Sequence, residues 1–129
     1  DRTATPAWAA AAREATGGRG FDHIVELGGE QTLPLSLRAI RPGGTILLIG
    51  VVSGGTMNAA LGHVITRQVR LQGVTVGPRD GFEAMLRAID AHQLRPVIDS
   101  VFPFAELKPA LARLATGVQF GKICIDHHA

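Results

Sequence analysis

The sequence predicts an α/β fold with a parallel sheet, and three observations carry that prediction. Arg41-Pro42-Gly43-Gly44 reads as the end of a helix running straight into an apolar strand, Thr45 to Val52. Glycines at Gly50, Gly54 and Gly55 open a loop at the carboxyl end of that strand. Helical and strand-like periodicities also alternate along the whole chain, which implies parallel βαβ units with right-handed crossovers. In such sheets ligands settle outside the carboxyl ends of the strands, so the same stretch marks a place to bind something.

The elements follow in order. Thr5-Pro6 looks like an N-cap followed by proline at the first helical position. A helix through Ala15 would put Trp8, Ala11, Ala12 and Ala15 on one face, and Thr16-Gly17-Gly18 would end it. Phe21 to Leu27 reads as a strand with Gly28-Gly29 at its exit. Leu33, Leu37 and Ile40 are spaced for one helical face, which Pro42-Gly43-Gly44 would close. Thr45 to Val52 is apolar on both faces, as a central parallel strand is when helices cover each side. Leu61, Val64 and Ile65 suggest a short helix, and Val69 to Val76 a third strand. Asp80-Gly81-Phe82-Glu83 resembles a capping box. Behind it Phe82, Met85, Leu86 and Ile89 fall at i, i+3, i+4 and i+7, with Glu83 and Arg87 as an i,i+4 pair. Val97 to Phe102 reads as a strand. Leu107, Ala110, Leu111 and Leu114 define a last helix, in which Pro109 is tolerable only within the first turn. Gly121 to Asp126 is a final strand.

Composition narrows the function. The 129 residues suffice for one domain with a core, and 46% hydrophobic against 19% charged residues reads as globular. No apolar run reaches the roughly 18 residues of a membrane span, and no apolar signal-peptide region is visible. Cys124 is the single cysteine, so an internal disulfide and a cysteine-based zinc framework are both excluded. This suits a cytoplasmic protein. Thirteen Lys and Arg residues lie scattered among eleven acids, tyrosine is absent and Trp8 stands alone, which argues against a nucleic-acid partner.

Three alternating strands make half of a doubly wound dinucleotide fold, which is built from two three-stranded halves. The G-x-G-x-x-G fingerprint expected after the first strand is missing. Gly18 and Gly20 precede a strand instead of opening a helix, and Gly50, Gly54 and Gly55 have the wrong spacing. The chain therefore looks like the second half of a nucleotide-binding domain without the first.

Other polar residues carry little chemistry by pattern. His23, His63 and His92 are scattered without a partner carboxylate at useful spacing, and His127 and His128 sit at a terminus. Asp22 and Glu26 share a strand face but stand roughly 13 Å apart, too far for joint acid/base work. Cys124 reads as a small buried hydrophobe, and Met85 as part of a core stripe.

Gly20-Phe21-Asp22-His23-Ile24-Val25-Glu26-Leu27-Gly28-Gly29 and Leu37-Arg38-Ala39-Ile40-Arg41-Pro42-Gly43-Gly44-Thr45-Ile46-Leu47-Leu48-Ile49-Gly50 resemble medium-chain dehydrogenase/reductases. So do Leu71-Gln72-Gly73-Val74-Thr75-Val76-Gly77 and Phe120-Gly121-Lys122-Ile123-Cys124-Ile125. This is the zinc-type alcohol dehydrogenase and quinone oxidoreductase superfamily, and the resemblance is to its carboxyl-terminal portion only. It implies a Rossmann-like second βαβαβ half of a three-layer, doubly wound parallel sheet, followed by a strand-helix-strand segment. Residues 1-91 would be the nucleotide-binding half, and residues 92-129 the segment that in the family returns to the catalytic domain. Family chains are more than twice this length, so the resemblance implies a fragment of a longer enzyme.

The resemblance also implies a site. The nicotinamide end of NAD or NADP would lie over three strand exits: Gly28-Gly29, then Gly50-Val51-Val52-Ser53-Gly54, then Val74-Thr75-Val76-Gly77. Lys122, and more weakly Arg79, match basic positions able to approach cofactor phosphate. No residue here matches a proton donor or a zinc ligand, so any zinc would be held elsewhere in the parent enzyme. That enzyme would exchange a hydride between nicotinamide and an alcohol, aldehyde or enone, and the isolated chain is expected to be inactive. The alternative is a non-catalytic interaction module, with a homodimer formed through exposed sheet edges.

Overall fold

The computed structural model describes residues 4–57 and 59–128. It divides into two compact units, Asp1–Val76 and Gly77–Ala129.

The first unit holds α1 (Trp8–Glu14), β1 (Phe21–Glu26), α2 (Leu33–Ala39), β2 (Ile40–Leu48), α3 (Leu61–Thr66) and β3 (Arg70–Gly73). Its sheet has the order β1-β2-β3, with both pairings parallel. Val25 lies opposite Leu47, and Leu47 opposite Gln72, so the three carboxyl ends finish side by side. The expected α/β class and the central place of the second strand both hold.

One cluster of buried side chains holds this unit together: Leu33 and Leu37 from α2, Ile40 and Ile46 from β2, and Val69 ahead of β3. Val64 of α3 packs on the same cluster, so both crossover helices share one sheet face. Two right-handed crossovers progressing in one direction give that outcome. Helices on each side of β2 are therefore not supplied by this unit, and Val25 on the other face stays exposed.

Several boundaries differ from those expected. The first helix starts at Trp8, after a turn at Pro6, and buries Ala9 instead of the Trp8, Ala11, Ala12, Ala15 face. The second helix stops at Ala39, three residues before the proline. Ile40 turns extended (φ −68, ψ 145) and pairs with Phe21. Arg41 to Gly44 bulge out between that pair and His23–Thr45. The Arg67 guanidinium closes the helix by donating to the carbonyls of Leu37 and Ile40. The second strand ends at Leu48, and Ile49 to Val52 form loop. The third strand spans only Arg70–Gly73; Val74 and Val76 are exposed, not buried.

The second unit holds α4 (Arg79–Ala91), β4 (Ile98–Pro103), a 3-10 turn (Phe104–Glu106), α5 (Leu107–Thr116) and β5 (Lys122–Asp126). β4 and β5 pair in parallel. Asp99 ties the unit together. It accepts from Arg113 of α5 at 2.7 Å and from the Phe120 N–H ahead of β5 at 3.1 Å. Pro109 falls in the first turn of α5, as expected. The capping box does not form. Pro78 is the N-cap of α4, and Asp80 bonds only the neighbouring Gly81 N–H. The helical ion pair is Arg79–Glu83 at 2.7 Å, not Glu83–Arg87. Phe82, Met85 and Leu86 are exposed where burial was expected. Cys124 is half-buried.

Candidate functional site at the strand exits

The exits of β1 and β2 are laced together by backbone. Past β1, the carbonyl of Glu26 accepts from the N–H groups of Ile49 and Gly50, at 2.9 and 3.2 Å. The Leu27 carbonyl accepts from Val52, and Gly54 accepts from the Glu30 N–H at 3.2 Å. Ser53 binds Gly28 twice: its N–H and its hydroxyl both donate to the Gly28 carbonyl, at 2.7 and 2.8 Å. The same hydroxyl accepts from the Gln31 N–H at 3.1 Å.

Two glycines make this approach possible. Gly29 has φ +91, and a Cβ there would sit 2.5 Å from the Gly54 carbonyl oxygen. A Cβ on Gly50 would sit 2.5 Å from the Leu27 carbonyl oxygen. Both contacts are to backbone, so no side chain can swing aside to make room.

Glu26 organises the first exit from beneath. It is 4% exposed. Its carboxylate accepts from the N–H groups of Gly28 (2.8 Å) and Gly29 (3.2 Å), and from the hydroxyls of Thr32 (2.5 Å) and Ser36. Burial pushes this carboxyl up, but hydrogen bonds from Ser36, Thr32, Gly29 and Gly28 outweigh it and hold the group below the ordinary carboxylate value. The Thr32 hydroxyl serves Glu26 and does not cap α2.

Above the laced exits lies a cleft of about 550 Å³ lined by Leu27, Gly28, Gln31, Val52 and Ser53. A second hollow, of about 390 Å³, reaches Glu26 from the side of Trp8, Ile24, Val25, Gly28, Thr32 and Ser36. An apolar cavity with a few fixed polar groups is what a small-ligand site requires.

Of the residues expected at the site, Gly28, Gly29, Gly50, Val51, Val52, Ser53 and Gly54 come together here. Val74 joins the third exit to the second through its N–H to the Leu48 carbonyl at 3.0 Å. Thr75 and Val76 lie past β3, with Val76 92% exposed. Gly77, Arg79 and Lys122 belong to the second unit. Arg79 is engaged with Glu83. Lys122 opens β5 and lines a cavity of about 280 Å³ beside α5. Sequence reasoning missed Glu26, Gln31 and Leu27. The available signal was an acidic residue two before Gly28, with hydroxyls at Thr32 and Ser36 four apart on one helical face.

Among the described residues there is no group of three or more His, Cys, Asp or Glu able to hold a metal ion. Asp22, held well below the usual carboxylate range by hydrogen bonds from Arg19 and Arg41, is a surface ion-pair group at the start of β1. No helix among the described residues is long and apolar enough to cross a membrane.

The parallel sheet with its joined glycine exits defines an α/β fold of the doubly wound class. The zinc-binding dehydrogenase family matches residues 1–125, and the chain belongs to that family. It is 37% identical over 125 residues to a zinc-type alcohol dehydrogenase-like protein of Schizosaccharomyces pombe, covering 94% of this chain and 36% of that protein. It is similar in structure to a crystal structure of a putative alcohol dehydrogenase from Sinorhizobium meliloti 1021. There the TM-score is 0.82 and the identity 39%, over 92% of this chain and 35% of that one. A crystallised NAD-dependent alcohol dehydrogenase matches with a TM-score of 0.81 at 28% identity, over 95% of this chain and 36% of that one. The chain thus spans about a third of the length of the relatives it matches. These matches correspond to the carboxyl-terminal portion that the sequence resembles.

Proposed function

We propose that this chain is the part of an NAD(P)-dependent, alcohol dehydrogenase-type oxidoreductase that seats the nicotinamide end of the cofactor. The observation that carries the reading is the Ser53–Gly28 lacing beneath the 550 Å³ cleft. It fixes small residues and backbone groups at the strand exits, where a flat ring can approach closely. When bound, the cofactor supplies the hydride-transfer chemistry. The residues of this chain hold the ring and exclude water. Gly28, Gly29, Gly50 to Gly54 and Val74 to Val76, all of the first unit, would line its seat. The substrate would be a small alcohol, aldehyde or enone, in a cytoplasmic enzyme. One relative is described as NAD-dependent, which supports the cofactor class.

The experiment is a binding titration with NADH and NADPH, comparing the chain with Ser53→Trp, which fills the cleft. Binding by the chain and loss of at least about tenfold affinity in the variant supports the reading. Equal affinity in both sinks it. Turnover of carbonyl substrates by this chain alone would contradict the expectation that it lacks the proton donor and metal ligands.

A second reading is an interaction module. It is favoured by β1 and β3 standing as the two edges of the sheet, with Val25, Leu27 and Val76 exposed. Unpaired edges invite pairing, and a two-fold dimer is the simplest outcome. Light scattering that finds a dimer unaffected by cofactor, together with no cofactor binding, selects this reading.

A further inference from the structure

We propose that Glu26 and Glu30 tune the strand-exit cleft toward the oxidised, positively charged nicotinamide ring over its neutral reduced form. This inference rests on the cofactor reading above and goes beyond it, to which redox state the seat prefers.

The four donors around Glu26 are two amides and two hydroxyls, all neutral. They satisfy the oxygens without cancelling the charge. Neither Glu26 nor Glu30 belongs to an ion pair among the described residues. Because those hydrogen bonds favour the ionised form, Glu26 stays a carboxylate at neutral pH. Its carboxylate accepts from the N–H groups of Gly28 and Gly29, and Gly28 lines the cleft.

Glu30 adds a second charge, one residue before the lining residue Gln31. It is exposed, and its carboxylate lies against Gly54, where an added methyl would collide with it. None of the lining residues Leu27, Gly28, Gln31, Val52 and Ser53 is positively charged. A concave surface bordered by one sign of charge raises the local concentration of the opposite sign. The oxidised ring carries one positive charge and the reduced ring none, so only the oxidised form gains this attraction. The same field disfavours phosphate, which argues that the ring end of the cofactor, and not its pyrophosphate, occupies the cleft.

The test is an amide NMR titration of the chain with oxidised and reduced nicotinamide mononucleotide. Both probes carry the same phosphate, so ring charge is the main electrostatic difference between them. The chain is compared with Glu26→Gln and Glu30→Gln. Each substitution is expected to lower the oxidised-to-reduced affinity ratio by about three- to tenfold, the scale of one charge removed at partly hydrated range. Glu26→Gln also perturbs the buried network. Should it fail to fold, the exposed Glu30→Gln decides the matter alone. A ratio unchanged in the folded variants overturns the tuning and leaves the cofactor reading standing. No amide shifts with either probe in the unmodified chain overturns both.

Discussion

Ser53 holds Gly28 by two hydrogen bonds to one carbonyl, 2.7 Å from its backbone N–H and 2.8 Å from its hydroxyl. One residue from the loop after β2 thereby fixes the turn after β1. The hydroxyl also accepts from the Gln31 N–H, so it bridges into the segment that leads to α2. Ser53→Ala removes the two side-chain bonds and keeps the backbone one. The expected cost is about 1–2 kcal/mol in denaturant unfolding, since a partly buried hydrogen bond is worth about 1 kcal/mol. A variant as stable as the original would show that the exits are held by backbone alone.

Gly29→Ala is expected to be more damaging. It places a Cβ 2.5 Å from the Gly54 carbonyl oxygen at a backbone with φ +91. Strain and collision together are expected to cost at least about 2 kcal/mol. Gly55→Ala is the control, because nothing lies within 4 Å of its added Cβ. Equal thermal midpoints for the two variants would contradict the close approach of the exits.

Glu26 makes a pH prediction whose sign is fixed. Its folded-state value lies below the ordinary one. Its contribution to stability is therefore complete above the ordinary glutamate value and fades as pH falls further toward the folded value. Asp22 and Asp99 are shifted the same way, Asp99 by its bonds from Arg113 and the Phe120 N–H, and their contributions fade only below the ordinary aspartate value, at lower pH than that of Glu26. Urea unfolding at pH 7 and at pH 3.5 is expected to show a clear loss at the lower pH. In Glu26→Gln that loss is smaller. An identical pH slope in the variant would contradict a role for the buried carboxylate.

Exposed apolar residues on α4 make a prediction of the opposite kind. Phe82, Met85 and Leu86 are about half exposed, and no residue of α4 is buried. Phe82→Ser or Met85→Ser is expected to change stability by no more than about 0.5 kcal/mol, as surface substitutions do. A loss of several kcal/mol, measured by thermal unfolding at low protein concentration, would mean that this face is covered.

The strands and the order of elements were legible because period and punctuation agree: Thr45 to Leu48 is an apolar run, and Gly-Gly pairs stand beside it. The end of the second helix was not legible. Pro42-Gly43-Gly44 reads as a stop signal, yet Ile40 leaves the helix earlier to pair with Phe21, and Arg67, 27 residues further on, satisfies its carbonyl. That choice is tertiary and leaves no local mark. The α4 stripe shows the converse, since Phe82, Met85, Leu86 and Ile89 mark a helix but not what packs on it. At the site, the glycines were legible by position. The Glu26 network was not, because Thr32 and Ser36 reach the carboxylate only once α2 folds back along β1.

The most direct measurement is amide shift mapping of the labelled chain titrated with NADH and NADPH. Saturable shifts are expected to concentrate at Gly28, Gly29, Gly50, Gln31 and Ser53. Saturable shifts centred elsewhere, with these five amides unmoved, would contradict it.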